Sequence, residues 1–344
     1  MQKCIKSDVH PKEQTARKME KDTNALNAPK DYISSLPSKN VRAMLLLALN
    51  VWFHLSAAQL AGLTEIISQL HNASLILDDI QDQSPMRRGQ PSTHMVFGVG
   101  QSTNTATFMI VETLKKLDLL VPQSHQAQEI MHTGLKALFT GQSWDLNWKQ
   151  GTYCPTREQY LEMVAGKTGA LFQLVARLMF CLAGSESAVP PADSHTRFSP
   201  HPHEDQKSLI EACDAFMHDL GVYFQVRDDY RNLHDASYTA QKGFCEDLDE
   251  GKFSYPVVLC CEINHLFKKP ILELFGGLKY KRRGMELEGK RKVLAMLEKS
   301  GAMESTEIAI QAWENKLLKM VAELEKQFGC SNPALREILK RLAA

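Results

Sequence analysis

The amino-acid sequence predicts an all-α fold. From Tyr32 onward, apolar residues recur at three- and four-residue spacings, for example over 45–53, 63–70 and 308–324. That spacing is the period of an amphipathic helix. The strand-like alternation of apolar and polar residues is hard to find along the same chain. We therefore expect about ten or more helices packed together.

Glycine and proline mark the expected ends of these helices. Proline lacks the backbone N–H that a helix interior requires, and glycine favours helix C-termini. Clusters that predict breaks occur at 85–91, 98–100, 122, 141, 151–155 and 276–277.

The chain is expected to form one domain over residues 26–344. Residues 1–25 are polar and charged and predict a flexible N-terminal arm. Residues 184–206 contain four prolines, which predict a loop between two helices.

Composition narrows the range of functions. The 344 residues are 44% apolar and 23% charged, as in ordinary globular proteins. Lysine plus arginine equal aspartate plus glutamate at 40 each, so no global charge favours a nucleic acid or an anionic membrane as partner. The longest apolar stretch, 43–55, is shorter than the roughly 20 residues of a membrane span. Eight scattered cysteines without a CxxC pair predict reduced thiols and a cytoplasmic location.

Two acidic clusters of similar form are the most informative motifs. The first is Asp78-Asp79-Ile80-Gln81-Asp82, a DDxxD motif, and the second is Asp228-Asp229-Tyr230-Arg231-Asn232. In a helix, the first residue and the residue four later share one face, with the second aspartate beside them. Both follow apolar runs, where uncompensated carboxylates are costly. Oxygen donors without histidine or cysteine favour Mg²⁺ over Zn²⁺. Two such patches facing each other across a cavity would hold several Mg²⁺ ions and bind a diphosphate.

Cationic residues accompany both clusters. Arg87 and Arg88 follow the first, and arginine binds phosphate oxygens in a bidentate manner. Gln225 precedes the second cluster, and Lys242 and Lys252 follow it. Two simpler interpretations stay open: the arginines could form salt bridges with Asp82, and the lysines could be ordinary exposed loop residues.

Several stretches resemble trans-isoprenyl diphosphate synthases. More narrowly, they resemble fungal geranylgeranyl diphosphate synthases and the prenyltransferase halves of fungal chimeric terpene synthases. The resemblance extends from about residue 26 to the end and rests on residues 32–33, 37–42, 70–91, 141–145, 167–169, 224–233, 245–256 and 332–335. Asn232 replaces the final aspartate of the second motif, as is common in the fungal group, and Ser38 stands where many members have glycine.

The resemblance implies a fold and a reaction. The fold is an isoprenoid synthase-type helical bundle around a deep central cavity, usually in a homodimer. The reaction is the head-to-tail condensation of isopentenyl diphosphate with an allylic diphosphate (dimethylallyl, geranyl or farnesyl), with three Mg²⁺ ions per active site. A native fusion to a terpene cyclase domain fits the chimeric relatives.

The resemblance also assigns roles by position. The Mg²⁺ ligands would be Asp78, Asp79 and Asp82 on one wall and Asp228 and Asp229 on the other. The allylic diphosphate would be held by Arg87, Lys167, Thr168, Gln225, Asn232, Lys242 and Lys252, with Lys167 and Gln225 also counted as catalytic. Isopentenyl diphosphate would be bound without metal by Lys39, Arg42, His71 and Arg88.

Product length is expected to follow cavity depth. Ala73 and Ser74 lie one helical turn before Asp78, and small residues there let the product grow beyond fifteen carbons. Phe108 and Met109 are candidates for a deeper floor. A product of twenty carbons is expected, with twenty-five to thirty carbons open.

Three alternative functions remain open. A class I terpene cyclase shares the first acidic motif, but its second motif is an Asn…Ser/Thr…Glu triplet, which residues 228–232 do not match. A non-catalytic partner subunit of a prenyl synthase usually loses acidic residues. A purely structural helical protein predicts scattered charges instead of matched acidic and basic sets.

Overall fold

The computed structural model describes residues 24–38, 40–150, 153–184, 203–234, 244–280 and 284–343. The all-α prediction is confirmed, since the strands in this part of the chain are two residues long. The first helix, α1, covers residues 24–35. The other α-helices are α2 (Val41–Phe53), α3 (Ala57–Gln81), α4 (Thr93–Phe97), α5 (Val99–Leu120), α6 (His125–Gln150), α7 (Arg157–Val164), α8 (Ala170–Ala183), α9 (His203–His234), α10 (Glu246–Asp249), α11 (Tyr255–Ile263), α12 (His265–Gly276), α13 (Leu287–Ser300), α14 (Ala302–Phe328) and α15 (Pro333–Ala343). A π-helix (Ala165–Gly169) joins α7 to α8, and a 3₁₀ turn (Gly277–Tyr280) follows α12.

The chain divides into two compact units. Unit 1 is formed by residues up to Ser38 together with Gln69–Glu112, and unit 2 by Lys39–Ser68 together with Thr113–Ala344. The first acidic motif lies in unit 1 and the second in unit 2.

Unit 1 has its own apolar core. Helix α1 packs against α3 and α5 through side chains that are at most 6% exposed: Ile33, Leu36, Ala73, Ile76, Ala106 and Met109. This packing places α3 so that its last turns carry the first acidic motif at the end of the helix.

A short β-hairpin follows α3. Strand β1 (Met86–Arg87) pairs antiparallel with β2 (Gln90–Pro91), and the two central residues, Arg88 and Gly89, have φ of 56° and 78°. Two positive φ values are typical of a type I′ turn, which matches the twist of a tight hairpin. The sequence predicted a helix end here, and the hairpin adds the geometry that turns Arg87 back toward α3.

Unit 2 is organised around the long helix α9. It packs against α8, α14 and the π-helix, while α6 packs against α8 and the π-helix. Near the C-terminus, the indole of Trp52 stacks on Phe328 with ring centroids 4.6 Å apart and donates a hydrogen bond to the carbonyl of Cys330. Through these contacts α15 closes the unit against α2.

Two predicted boundaries differ from the structure. Gly141 was predicted to end a helix, but α6 continues through it to Gln150. The glycine instead allows α6 to contact the backbone of the π-helix. Helix α9 begins at His203, inside the predicted loop 184–206. Residues 185–202 of that loop and residues 1–23 of the predicted N-terminal arm lie outside the described residues.

One helical stretch, Arg157–Ala183, has the length and mean hydropathy of a membrane span, and 56% of its apolar 18-residue window is buried inside the protein. A core helix has the same composition, and α8 within this stretch packs against α6 and α9. The described cysteines that form no disulfide are Cys154, Cys181, Cys213, Cys245, Cys260, Cys261 and Cys330.

Candidate active site

In unit 1, the second aspartate of the acidic motif is paired with an arginine. Asp79 is 0% exposed, and its Oδ1 accepts hydrogen bonds from Nε (2.8 Å) and from the Nη2 of Arg87. The same guanidinium lies 3.5 Å from Oδ2 of Asp78. The hairpin therefore supplies the cation that allows two adjacent carboxylates to stand at the end of an apolar helix.

The other oxygen of Asp79 is buried and has no hydrogen-bond partner among the described residues. Burial raises the pKa of this carboxyl above its usual value, even though Arg87 acts in the opposite direction. A buried anionic oxygen that lacks a donor is costly. It is the kind of atom that a bound cation would satisfy.

The remaining aspartates of this motif are more accessible. Asp78 and Asp82 are both partly exposed, with the side chain of Asp78 27% exposed. The motif thus presents two accessible carboxylates beside one that is buried and paired.

Other predicted residues of unit 1 surround this helix end. Arg88 lies on the hairpin turn, where burial and then the neighbouring Arg87 lower its guanidinium pKa, and its Nη1 is 3.4 Å from the carbonyl of Leu36. His71 lies two turns before the motif and is partly exposed, and its carbonyl accepts a hydrogen bond from Ser74.

The predicted chain-length residues fall into two groups. Ala73 (0% exposed) and Met109 (1%) belong to the packed core of unit 1, whereas Ser74 and Phe108 are exposed. Of the two small residues before Asp78, Ser74 is therefore exposed and Ala73 is enclosed in the core. Their role in product length stays a prediction.

In unit 2, the second aspartate is again the buried one. Asp229 is 0% exposed. Its Oδ1 accepts hydrogen bonds from Nζ of Lys252 (2.8 Å) and Nε2 of Gln225 (2.9 Å). Its Oδ2 accepts from the hydroxyl of Tyr160 (2.5 Å) and the backbone N–H of Tyr255 (2.8 Å). Each oxygen already has two donors, so direct metal binding by Asp229 would require the loss of one of these bonds. Asp228, by contrast, is partly exposed.

Lys252 belongs to a buried network of opposite charges. It also contacts Oδ2 of Asp247 at 3.0 Å. Burial alone would favour its neutral form, but Asp229, Asp247 and Glu250 raise the pKa of the ammonium well above its usual value. Lys252 is therefore a fixed positive charge.

Lys167 is held in a similar way. Its Nζ lies 2.6 Å from Oδ2 of Asp145 on α6, which also contacts Lys149 at 3.4 Å. Burial opposes ionisation of Asp145, but Lys149, Lys167 and Lys252 more than offset it and hold the pKa of this carboxyl well below its usual value. Lys149 continues the network to Glu250 at 2.8 Å.

Close backbone packing fixes the π-helix that carries Lys167. A Cβ at Gly141 would lie 2.2 Å from the backbone nitrogen of Lys167, and a Cβ at Gly221 would lie 2.5 Å from Cα of Gly169. Short π-helical turns inside α-helices are frequent at functional sites. Here the turn directs Thr168 toward Gln225, with Oγ1 of Thr168 donating to Oε1 of Gln225 at 2.8 Å.

The remaining predicted residues are placed as follows. Arg42 lies at the start of α2, with its guanidinium 5.9 Å from the ring centroid of Phe172. Asn232 is buried, and its side-chain oxygen accepts from the backbone N–H of Asp247. Lys39 and Lys242 lie outside the described residues.

The donor chemistry fits Mg²⁺. In the described part of the chain, no group of three or more His, Cys, Asp or Glu side chains is close enough to hold a metal ion by itself. Mg²⁺ is usually bound through one or two carboxylates, water and substrate phosphates, so it does not require such a cage. Suitable ligands of this kind are the accessible Asp78, Asp82 and Asp228 and the buried Oδ2 of Asp79.

Sequence reasoning did not assign roles to several residues that complete the site. Asp145 and Lys149 carry a weak signal, since they form an i,i+4 pair on α6. Asp247 and Glu250 lie in the stretch 245–256 that carries the family resemblance, but no role was assigned to them, and Tyr160 carries no signal that distinguishes it from an ordinary helix residue. Their importance follows from partners that only the folded chain brings near.

Comparison with known proteins identifies the family of the chain. The family model described as polyprenyl synthetase matches residues 23–283. The chain is 41% identical over 323 residues to the preterpestacin I synthase of Cochliobolus heterostrophus, covering 93% of this chain and 42% of that protein. It is 42% identical to the fusoxypene synthase of Fusarium oxysporum (93% and 42%) and to the bifunctional sesterterpene synthase of Talaromyces wortmannii (92% and 38%). The chain thus spans about two fifths of the length of these curated relatives.

Proposed function

The chain belongs to the polyprenyl synthetase family, and we propose that it extends an allylic diphosphate by head-to-tail addition of isopentenyl diphosphate. One observation carries the proposal. In each acidic motif the second aspartate is fully buried and paired with a cation, Arg87 for Asp79 and Lys252 for Asp229. The first aspartate of each motif stays partly exposed. Because both motifs pair one buried aspartate with one accessible aspartate, they support a common function, the binding of diphosphate through Mg²⁺.

We propose that Asp78, Asp82 and Asp228 are the principal Mg²⁺ ligands, and that the buried Oδ2 of Asp79 assists Asp78 and Asp82 in the first motif. When bound, Mg²⁺ supplies positive charge that stabilises the departing diphosphate. Three ions per active site, and a single diphosphate served by both motifs, stay predictions from the sequence.

Cationic side chains of the protein would also stabilise the departing diphosphate. Arg87, Lys167 and Lys252 are each oriented by a carboxylate, so little reorganisation is needed when a diphosphate arrives. Fixed charges of this kind stabilise the leaving group as the carbon–oxygen bond of the allylic substrate breaks. The isopentenyl double bond then attacks the allylic cation, and the departed diphosphate accepts the proton that is lost as a new double bond forms.

Isopentenyl diphosphate keeps its diphosphate and only has to be held. We propose that Arg42, His71 and Arg88 bind it with Lys39, as the family resemblance implies. Burial, and after it the neighbouring Arg87, lowers the pKa of Arg88, and an added diphosphate would stabilise this pair of cations.

For the product, we propose an allylic diphosphate of twenty or twenty-five carbons. Ser74, four residues before the first motif, is small and exposed, and the name of one relative contains the word sesterterpene. That relative is also called bifunctional, so we propose that this product passes to a terpene cyclase, either fused or separate.

The test is an assay of the purified protein with Mg²⁺, isopentenyl diphosphate and each allylic primer, followed by chromatography of the dephosphorylated products. We expect longer prenyl alcohols, and turnover lower by at least about a hundredfold in Asp78→Ala and Asp228→Ala with the fold retained. A hydrocarbon released from the primer alone would instead identify a cyclase, and unchanged substrates would refute the proposal.

A further inference from the structure

The hydrogen bonds around Asp229 assign a function to a tyrosine outside both acidic motifs. We infer that Tyr160 is a positioning residue, whose hydroxyl fixes the Asp229 carboxylate so that Asp229 orients Lys252 and Gln225 while Asp228 is left to bind Mg²⁺. This inference rests on the proposed function and assigns no direct contact with substrate to Tyr160.

The local structure allows Tyr160 little freedom. It lies in the first turn of α7 and is 0% exposed. The start of α7 is fixed by a capping box between Thr156 and Gln159, and the N–H of Tyr160 donates to the carbonyl of Thr156 at 2.9 Å. Its ring packs against that of Tyr255, with centroids 5.5 Å apart. A buried phenol needs a hydrogen-bond partner, and the partner here is Oδ2 of Asp229.

The Tyr160 hydroxyl binds the oxygen of Asp229 that Lys252 and Gln225 do not contact. Lys252 and Gln225 both reach Oδ1, whereas Oδ2 is held by Tyr160 and by the N–H of Tyr255 alone among the described residues. Two neutral donors on one side and two donors on the other prevent rotation of the carboxylate about its Cβ–Cγ bond. Loss of the hydroxyl leaves Oδ2 with one donor, so the carboxylate can turn and carry Lys252 with it.

Loss of the Tyr160 hydroxyl should therefore weaken the binding of Mg²⁺. Asp228 is the neighbour of Asp229 on α9, and Lys252 is a cation proposed to face the same diphosphate. Residues that orient the ligands of a metal typically contribute 10–100-fold to metal affinity. We therefore expect Tyr160→Phe to raise the Mg²⁺ concentration for half-maximal turnover about tenfold.

The chain offers a matched control. Tyr223 is also buried, lies on α9 six residues before Asp229, and donates its hydroxyl to Oε1 of Glu314 at 2.8 Å. Tyr223→Phe removes the same chemical group from the same kind of bond, but from a bond to Glu314 instead of Asp229. A purely structural role for Tyr160 predicts that the two variants lose similar stability and nothing else.

The experiment compares wild type, Tyr160→Phe and Tyr223→Phe in two measurements. The first is the rise in Tm caused by Mg²⁺ together with inorganic diphosphate, and the second is the Mg²⁺ dependence of turnover. We expect Tyr160→Phe to reduce the rise in Tm and to shift the Mg²⁺ dependence about tenfold, while Tyr223→Phe matches wild type in both. Equal behaviour of the two variants would overturn the inference.

A second comparison keeps the inference testable if Tyr160→Phe does not fold. Asp229→Asn should shift the Mg²⁺ dependence by about the same tenfold, whereas Asp228→Asn should remove most of the response to Mg²⁺ with diphosphate. Equal loss in these two variants would show that Asp229 is itself a ligand and would overturn the inference. If wild type does not elongate any primer, the proposed function fails, but the Tm measurement still tests Tyr160.

Discussion

Gly141 on α6 and Lys167 on the π-helix approach so closely that a Cβ at position 141 would lie 2.2 Å from the Lys167 nitrogen. The same Cβ would lie 2.8 Å from the carbonyl oxygen of Met163. These neighbours are backbone atoms, which cannot rotate away. The contact therefore sets the distance between α6, which carries Asp145, and the turn that carries Lys167.

Gly141→Ala should push α6 away from the π-helix. We expect a loss of about 2–4 kcal/mol in the free energy of unfolding and a fall in turnover larger than the fraction of unfolded protein explains. Gly134→Ala on the same helix is the control, because its Cβ would meet only the flexible end of Leu174 at 3.1 Å. Urea unfolding and steady-state kinetics of both variants check the prediction, and equal effects would contradict it.

Asp145→Asn should change the pH dependence of stability. The pKa of Asp145 is lower in the folded protein than in the unfolded chain, so as pH falls the unfolded chain takes up this proton first. The stabilisation is thus present above the unfolded pKa of about 3.9 and declines as pH falls toward the folded value.

We expect Asp145→Asn to cost about 3 kcal/mol near pH 6, because it leaves Lys149 and Lys167 without this buried partner. The difference from wild type should shrink by about 1 kcal/mol on going to pH 3. Urea unfolding at several pH values measures it, and a difference that does not change with pH would contradict the assignment.

Ser74→Phe and Ala73→Phe should have different effects although the residues are adjacent. Ser74 is exposed, so a phenyl ring there can shorten the product by at least one isoprene unit with little loss of stability. Ala73 is enclosed by the core of unit 1, and a ring there should destabilise the protein by about 3 kcal/mol or more. Product chromatography and urea unfolding separate the outcomes. A shortened product from a fully stable Ala73→Phe would show that Ala73 borders open space.

Mg²⁺ and diphosphate should bind together. Because no described group of three acidic side chains can hold an ion alone, Mg²⁺ by itself should barely change Tm. Mg²⁺ with inorganic diphosphate at about a hundred times their Kd should add about 2.7 kcal/mol of stability, which raises Tm by several degrees. Removal of metal with EDTA should abolish both that rise and turnover. A large effect of Mg²⁺ alone would indicate a metal site built from protein groups only.

The sequence by itself determined the helical fold, the two acidic motifs and the family. These signals are local, because helical periodicity and the spacing of aspartates are read within a few turns of chain. The matched motifs Asp78–Asp82 and Asp228–Asn232 were therefore visible before any packing was known.

Only the tertiary structure decided which carboxylate in each motif is buried, that Ser74 and not Ala73 is exposed, and that Gly141 is a contact instead of a helix end. It also revealed Tyr160, whose partner Asp229 is 69 positions away along the chain. Burial and hydrogen bonding depend on which helices become neighbours, and that choice is made by the packing of the whole chain and not by the pattern within any one helix.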